Sequence, residues 1–273
     1  MLLYTHDMTN LTSALDLFIS TLFLTQPIAI GFMSLVFLRA KAIKNMSIAD
    51  IVWGVGFALL AITTYWIGGG GQISFVLTML TLVWGVRLAA HIALRNHGKG
   101  EDPRYAAWRK DWGSWVDLRG FLQVFVLQAI LMTIIVSPVT MTNLWNPNAQ
   151  PSWLTFLGIA IWGVGFFFEA VSDHQLLTFK RIAKNKGKLF NKGLWRYSRH
   201  PNYFGEATQW WGVFLISTVA VPWQLAIIGP ILITYLLLQV SGVTLTEQRK
   251  KGKPAYEQYK KTTSPFIPWF PKR

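Results

Sequence analysis

Residues 48–94 read IADIVWGVGFALLAITTYWI, then GGGG, then QISFVLTMLTLVWGVRLAAHIAL, and this stretch decides the fold. Asp50, Arg87 and His91 are its only charged or imidazole side chains. Two apolar runs of about 20 residues flank Gly68-Gly69-Gly70-Gly71. Each is long enough to cross a bilayer as a helix, and the glycines permit a tight reversal between them. The pattern is a transmembrane helical hairpin.

Outward from this hairpin, the same reading gives five more spans. One precedes it, at about 15–38, with Pro27 inside. Four follow, at about 120–142, 153–179, 202–220 and 223–246. The expected fold is therefore all-α and polytopic, with about seven transmembrane helices in one integral-membrane domain, 1–273. Two long polar connections, 95–119 and 180–201, and the tail 247–273 complete it. No cleaved signal peptide is expected, because the N-terminus lacks a basic region ahead of a short apolar one.

Composition agrees. Of 273 residues, 52% are hydrophobic and 14% charged, against roughly 25% charged in soluble domains. There are no cysteines, which excludes disulfides, thiolate metal sites and Cys nucleophiles. The net charge of +14 invites a nucleic-acid reading, but its placement argues otherwise. All 26 Lys and Arg fall on one side of a seven-span arrangement with the N-terminus outside. Eight lie within 180–199 and eight within 249–273, whereas the opposite connections 68–72, 141–152 and 220–223 hold none. The positive-inside rule places the basic side and the C-terminus in the cytoplasm. Trp145, Trp153 and Trp223 are expected to anchor the opposite interface.

Ionisable groups inside a membrane are costly and mark functional cavities. Asp50, His91, Glu169, Asp173, Glu206 and Glu247 lie near the basic ends of five helices, so they share one layer. Each alone could snorkel to water, and Asp50 suits the first turn of a helix dipole. Arg87, His91 and Arg95 are spaced i, i+4, i+8, a donor stripe suited to an anionic cofactor, with His91 able to move a proton near neutrality. The five histidines show no metal-ligand spacing, so no metal is expected. Gly163 and Gly165 suit close helix packing.

The stretch Leu194-Trp195-Arg196-Tyr197-Ser198-Arg199-His200-Pro201-Asn202-Tyr203-Phe204-Gly205-Glu206 is a loop entering a helix, with Pro201 suited to its first turn. Its donors beside a helix start are suited to phosphates. This stretch resembles the C-terminal signature of the steroid 5α-reductase superfamily, in particular its bacterial branch, the DUF1295 family. Three further segments resemble the same branch: 47–57 around Asp50, 87–105 from Arg87 and His91 to Tyr105, and the tail Tyr256-Glu257-Gln258-Tyr259 with Phe266-Ile267-Pro268. The resemblance spans about 45–273. The Arg-His-Pro-x-Tyr-x-Gly core also occurs in sterol reductases and isoprenylcysteine carboxyl methyltransferases.

The resemblance implies a membrane reductase holding NADPH in a cavity open to the cytoplasm, in a bacterial inner membrane. It implies cofactor contacts from Asp173, Asn202 and Glu206, and phosphate or ribose contacts from Arg87, Arg95, Lys184, Arg196, Arg199 and Tyr203. Eukaryotic members use a Gln-Glu pair and a Tyr as carbonyl-side acids. Here Asp50 stands near the Glu position without the Gln, and His91 stands where the Tyr is expected, so an Asp50–His91 pair is the expected catalytic couple. Glu247 stands where those enzymes tend to have His. The expected activity is NADPH-dependent reduction of an activated C=C bond in an apolar, steroid-like or isoprenoid substrate that enters from the lipid. No nucleic-acid partner is expected, and no protein partner is inferable. The alternatives are an S-adenosylmethionine-dependent membrane methyltransferase and a non-catalytic lipid-binding or transport protein.

Overall fold

The glycine tetrad turns the chain as its sequence asks. In the computed structural model, which describes residues 11–272, α2 (Ile48–Ile67) ends at the tetrad and α3 (Gln72–Asn96) starts directly after it. Gly69 and Gly70 adopt φ of 83° and 74°, which disfavours any side chain. A Cβ on Gly68 or Gly71 would lie within 2 Å of the carbonyl oxygens of Asn143 and Pro147. The tetrad thus meets two demands, left-handed backbone and close approach.

Among the described residues, the regular elements are helices. The remaining helices are α1 (Leu11–Ala42), α4 (Pro103–Trp112), α5 (Val116–Gly120), α6 (Leu127–Trp145), α7 (Trp153–Arg181), α8 (Pro201–Ser217), α9 (Trp223–Ala226), α10 (Ile228–Tyr235), α11 (Val243–Lys250) and α12 (Pro254–Thr262). Among the described residues, extended pairing is limited to an isolated parallel bridge between Ser198 and Ser264. Among the described residues, six helical stretches are long and apolar enough to cross a membrane: Ala14–Ala42, Ile48–Ile67, Gln72–Asn96, Pro103–Trp145, Trp153–Arg181 and Trp223–Lys250. The span expected at 202–220 is the 17-residue α8, which begins at Pro201 and falls at the short end of the spanning range. The signal-peptide reading rests largely on residues outside those described.

Two compact units divide the chain. One comprises the chain up to Ser152 together with Ser217–Gly229. Its core contains Phe57, Leu60, Leu77, Trp84, Phe125, Met132 and Ile135, all buried. Asn143, fully buried, brings its amide nitrogen to Ala61 O, Thr64 Oγ1 and Thr78 Oγ1 at 3.0–3.1 Å. Satisfying such a group internally matters most where no water competes. The connection 95–119, read as polar loop, holds α4 and α5 and runs through a π-helical turn at Phe121–Val126 into α6.

The other unit comprises Trp153–Ile216 and the chain from Pro230. Its helices α7 and α8 touch backbone to backbone. A Cβ on Gly165 would lie 2.6 Å from Gly205 O, and one on Gly212 would lie 2.6 Å from Gly158 O. Small residues at such crossings let membrane helices approach closely. Gly163, expected to act with Gly165, faces open space instead.

Candidate active site

The close α7–α8 approach aligns two polar ladders. Glu169 and Asp173 lie one turn apart on α7. Asn202, Gly205, Glu206 and Gln209 share one face of α8 by their i, i+3, i+4, i+7 spacing. Gln209 Nε2 donates to Glu169 Oε2 at 2.5 Å, and Asn202 Nδ2 donates to Asp173 Oδ1 at 3.2 Å. Glu169, Asp173, Glu206 and Gln209 are all buried. The amide oxygens of Asn202 and Gln209 are buried without a hydrogen-bond partner. Turning either amide over would set two oxygens face to face against a carboxylate. Those two amide oxygens are therefore orphaned acceptors, a state that costs about 1–3 kcal/mol per group until a donor arrives.

The loop entering α8 is pinned on both sides. Trp195 Nε1 donates to Ser172 O at 3.0 Å, and Leu194 N donates to Gln175 Oε1 at 3.1 Å. Arg199, expected to contact phosphate, is buried and spends its guanidinium within the protein. Nε and Nη2 meet Glu247 Oε1 at 2.8 and 2.6 Å, and Nη1 donates to Thr263 O and Lys260 O at 2.7 and 3.1 Å. This makes Arg199 a tether between the loop, α11 and the C-terminal segment. His200 stacks on Tyr203, rings 5.6 Å apart and 9° from parallel, with Nε2 3.5 Å from Glu247 Oε1. Burial pushes the His200 imidazole down to about 4, Glu247 opposing and Lys250 adding to the effect, so the ring is neutral at pH 7. Burial likewise pushes the Tyr256 phenol up to about 12. Lys184 and Arg196 are exposed.

In the other unit, Asp50 gathers a cluster that sequence reading missed. Its Oδ1 accepts the Tyr105 hydroxyl at 2.6 Å and its Oδ2 accepts Arg104 Nη2 at 2.7 Å. Asp50, expected to orient and charge His91, thus also holds the Tyr105 hydroxyl and the Arg104 guanidinium in a Tyr105–Asp50–Arg104 cluster. Asp102 caps α4 through Arg104 N, and its own N–H donates to Ser47 Oγ at 2.6 Å. Glu101 accepts Met46 N at 2.7 Å and Arg109 Nη2 at 2.9 Å. Burial would raise the Glu101 carboxyl, but the Arg109 and Met46 bonds outweigh it and hold the group below its usual range. These contacts staple the start of α4 to the start of α2. Arg87, His91 and Arg95 are half-buried at successive turns of α3. Tyr105 had a sequence signal, since it closes the 87–105 segment. Gln209 had one too, seven residues beyond Asn202 on the same helix face.

An all-helical membrane protein with a buried acid–amide seam behind an Arg-His-Pro turn is the class these features define. The chain belongs to the family described as "Protein of unknown function (DUF1295)", which it matches over residues 36–263. It is 30% identical over 119 residues to bovine 3-oxo-5-alpha-steroid 4-dehydrogenase 1, a match covering 44% of each chain. The mouse protein of that name is 37% identical over 68 residues, 25% of this chain and 26% of that one. These similarities set the chain within the steroid 5α-reductase superfamily. An uncharacterized protein of Schizosaccharomyces pombe is 23% identical over 203 residues, 65% of this chain and 59% of its own. The chain thus matches between about a quarter and three fifths of the lengths of these relatives. No solved structure matches it significantly.

Proposed function

We propose that this protein is an integral-membrane reductase that saturates the activated C=C bond of an apolar, steroid-like or isoprenoid enone with NADPH. Two orphaned amide oxygens in the α7–α8 seam carry this reading. Asn202 Oδ1 and Gln209 Oε1 have no partner, and Asp173 and Glu206 are buried beside them. A ligand presenting hydroxyl and amide donors, as a dinucleotide does, would satisfy the two amide oxygens. Eight cations and no acid lie between 180 and 199, a supply suited to its phosphates, with Lys184 and Arg196 exposed for that role. Asp173, Asn202, Tyr203 and Glu206 are assigned to cofactor binding. Arg199 positions the loop that leads into α8, the helix bearing Asn202, Tyr203 and Glu206. On α3, Arg87 and Arg95 flank His91 and are assigned to anion contact.

When bound, the reduced nicotinamide supplies the hydride. Negative charge then grows on the substrate carbonyl oxygen, and a donor on the chain must meet it. We assign that proton to His91. Asp50 supports the acid side through Tyr105, whose hydroxyl it orients, and Arg104, whose charge it balances.

Mass action on the folded state gives the test. Purified protein should melt at a higher temperature with NADPH than with NADH or S-adenosylmethionine. Asn202→Ala and Glu206→Ala should each remove most of that gain. Stabilisation by S-adenosylmethionine alone would favour the methyltransferase instead.

A further inference from the structure

The C-terminal segment 263–272 is held as a strap across the start of α8. Arg199 N donates to Ser264 O at 2.8 Å, Ser198 Oγ to Phe266 O at 2.7 Å, and Trp269 N to Tyr197 O at 2.9 Å. Phe266 packs edge-on against Phe204, ring centres 5.8 Å apart. Phe204 lies in the first turn of α8, and its neighbour Asn202 meets Asp173 on α7. Asp173 lies about 12 Å along α7 before its basic end at Arg181, so the strap crosses α8 within about two turns of the end of that span.

At this depth the strap turns apolar side chains outward. Ile267, Trp269 and Phe270 are 63%, 70% and 77% exposed, although the strap is no membrane span and its backbone is firmly tied. Lys261 and Lys272 are exposed beside them. The two stretches 180–199 and 247–273 of this unit hold 16 cations, and Glu247 and Glu257 are their only acids. Exposed Trp and Phe with Lys, at the end of a span, is the chemistry of a bilayer interface with anionic headgroups.

We propose that this strap is a membrane-surface anchor. Ile267, Trp269 and Phe270 sit in the interface of the leaflet at the basic end, and Lys261 and Lys272 engage anionic phospholipid headgroups. Because Ser264 and Thr263 carbonyls accept from Arg199, seating the strap also braces the turn that leads into α8. The anchor is independent of the reaction proposed above.

The test uses the full chain in lipid nanodiscs. The emission lost on Trp269→Phe isolates this indole from the other 13 tryptophans. It should be quenched strongly by phospholipids brominated near the headgroup end of the acyl chain and weakly by those brominated near the terminal methyl. Absence of quenching from either depth would place the strap in water and overturn the anchor. Separately, the protein should melt several degrees higher in phosphatidylglycerol than in phosphatidylcholine. The double variant Lys261→Gln/Lys272→Gln should lose most of that difference, and soluble glycerol phosphate should not reproduce it. Equal melting of the unmodified protein in the two lipids, or full mimicry by glycerol phosphate, would overturn the headgroup contact.

Discussion

His200 makes the fold sensitive to acid. Its ring is buried and neutral, with Arg199, Glu247 and Lys250 as the charges around it. In the unfolded chain it takes a proton near pH 6.5, whereas in the fold it resists until about 4. As pH falls through that window the unfolded state binds the proton first, so stability drains away by about 1.4 kcal/mol per pH unit. His200→Gln should therefore flatten the decline of melting temperature between those limits, and parallel pH profiles for the two proteins would refute the buried neutral imidazole. Asp50 gives a second case. Losing its bonds to Tyr105 and Arg104 should cost roughly 1–3 kcal/mol of stability, as for charge-assisted hydrogen bonds. Asp50→Asn and Arg104→Gln should then destabilise similarly in chemical denaturation. His91→Phe should instead lower enone turnover about tenfold to a thousandfold while changing NADPH affinity little. Asp50, Glu169 and Glu206 were legible in sequence as ionisable residues in apolar runs. The partnership of Arg199 with Glu247 was not, because it joins positions 48 apart, which no local periodicity encodes.

The α7–α8 contact is the element on which the site depends. Gly165 and Gly205 leave no room for a side chain, since a Cβ on Gly205 would fall 2.4 Å from Glu169 N. Gly205→Leu should push the helices apart, destabilise by about 1–3 kcal/mol or more, and abolish ligand-induced stabilisation along with it. Gly163→Ala, facing open space, should be neutral or mildly stabilising. The contrast is readable from melting curves of the two variants. Helices 48–67 and 72–96 were legible because a single apolar period runs to a glycine stop. α4 was hidden: its ten residues carry four charges, and only its tie to α2 through Asp50, Glu101 and Asp102 shows why it is helical. The strap was hidden for a different reason, because it is held by backbone bonds, which leave little trace in side-chain pattern.

Across the whole molecule, the one-sided cations predict how the chain is threaded. Reporters fused after Arg119 and at the C-terminus should read cytoplasm, and one inserted at Gly70 should read the opposite side. A C-terminal reporter on the non-cytoplasmic side would break the seven-span arrangement, whose shortest member is α8. Under that threading, the proposed site and its cations would face the compartment that holds reduced nucleotides. The central claim is hydride transfer to an enone, and isotope transfer tests it most directly. Purified protein in nanodiscs would be given NADPH carrying deuterium at the reactive nicotinamide carbon, with a panel of 4-ene-3-ketosteroids and shorter isoprenoid enones. The prediction is a saturated product bearing one deuterium at the β-carbon and one proton from solvent, formed far more slowly by His91→Phe. Absence of deuterium from every product, or methyl transfer from S-adenosylmethionine in its place, would contradict it.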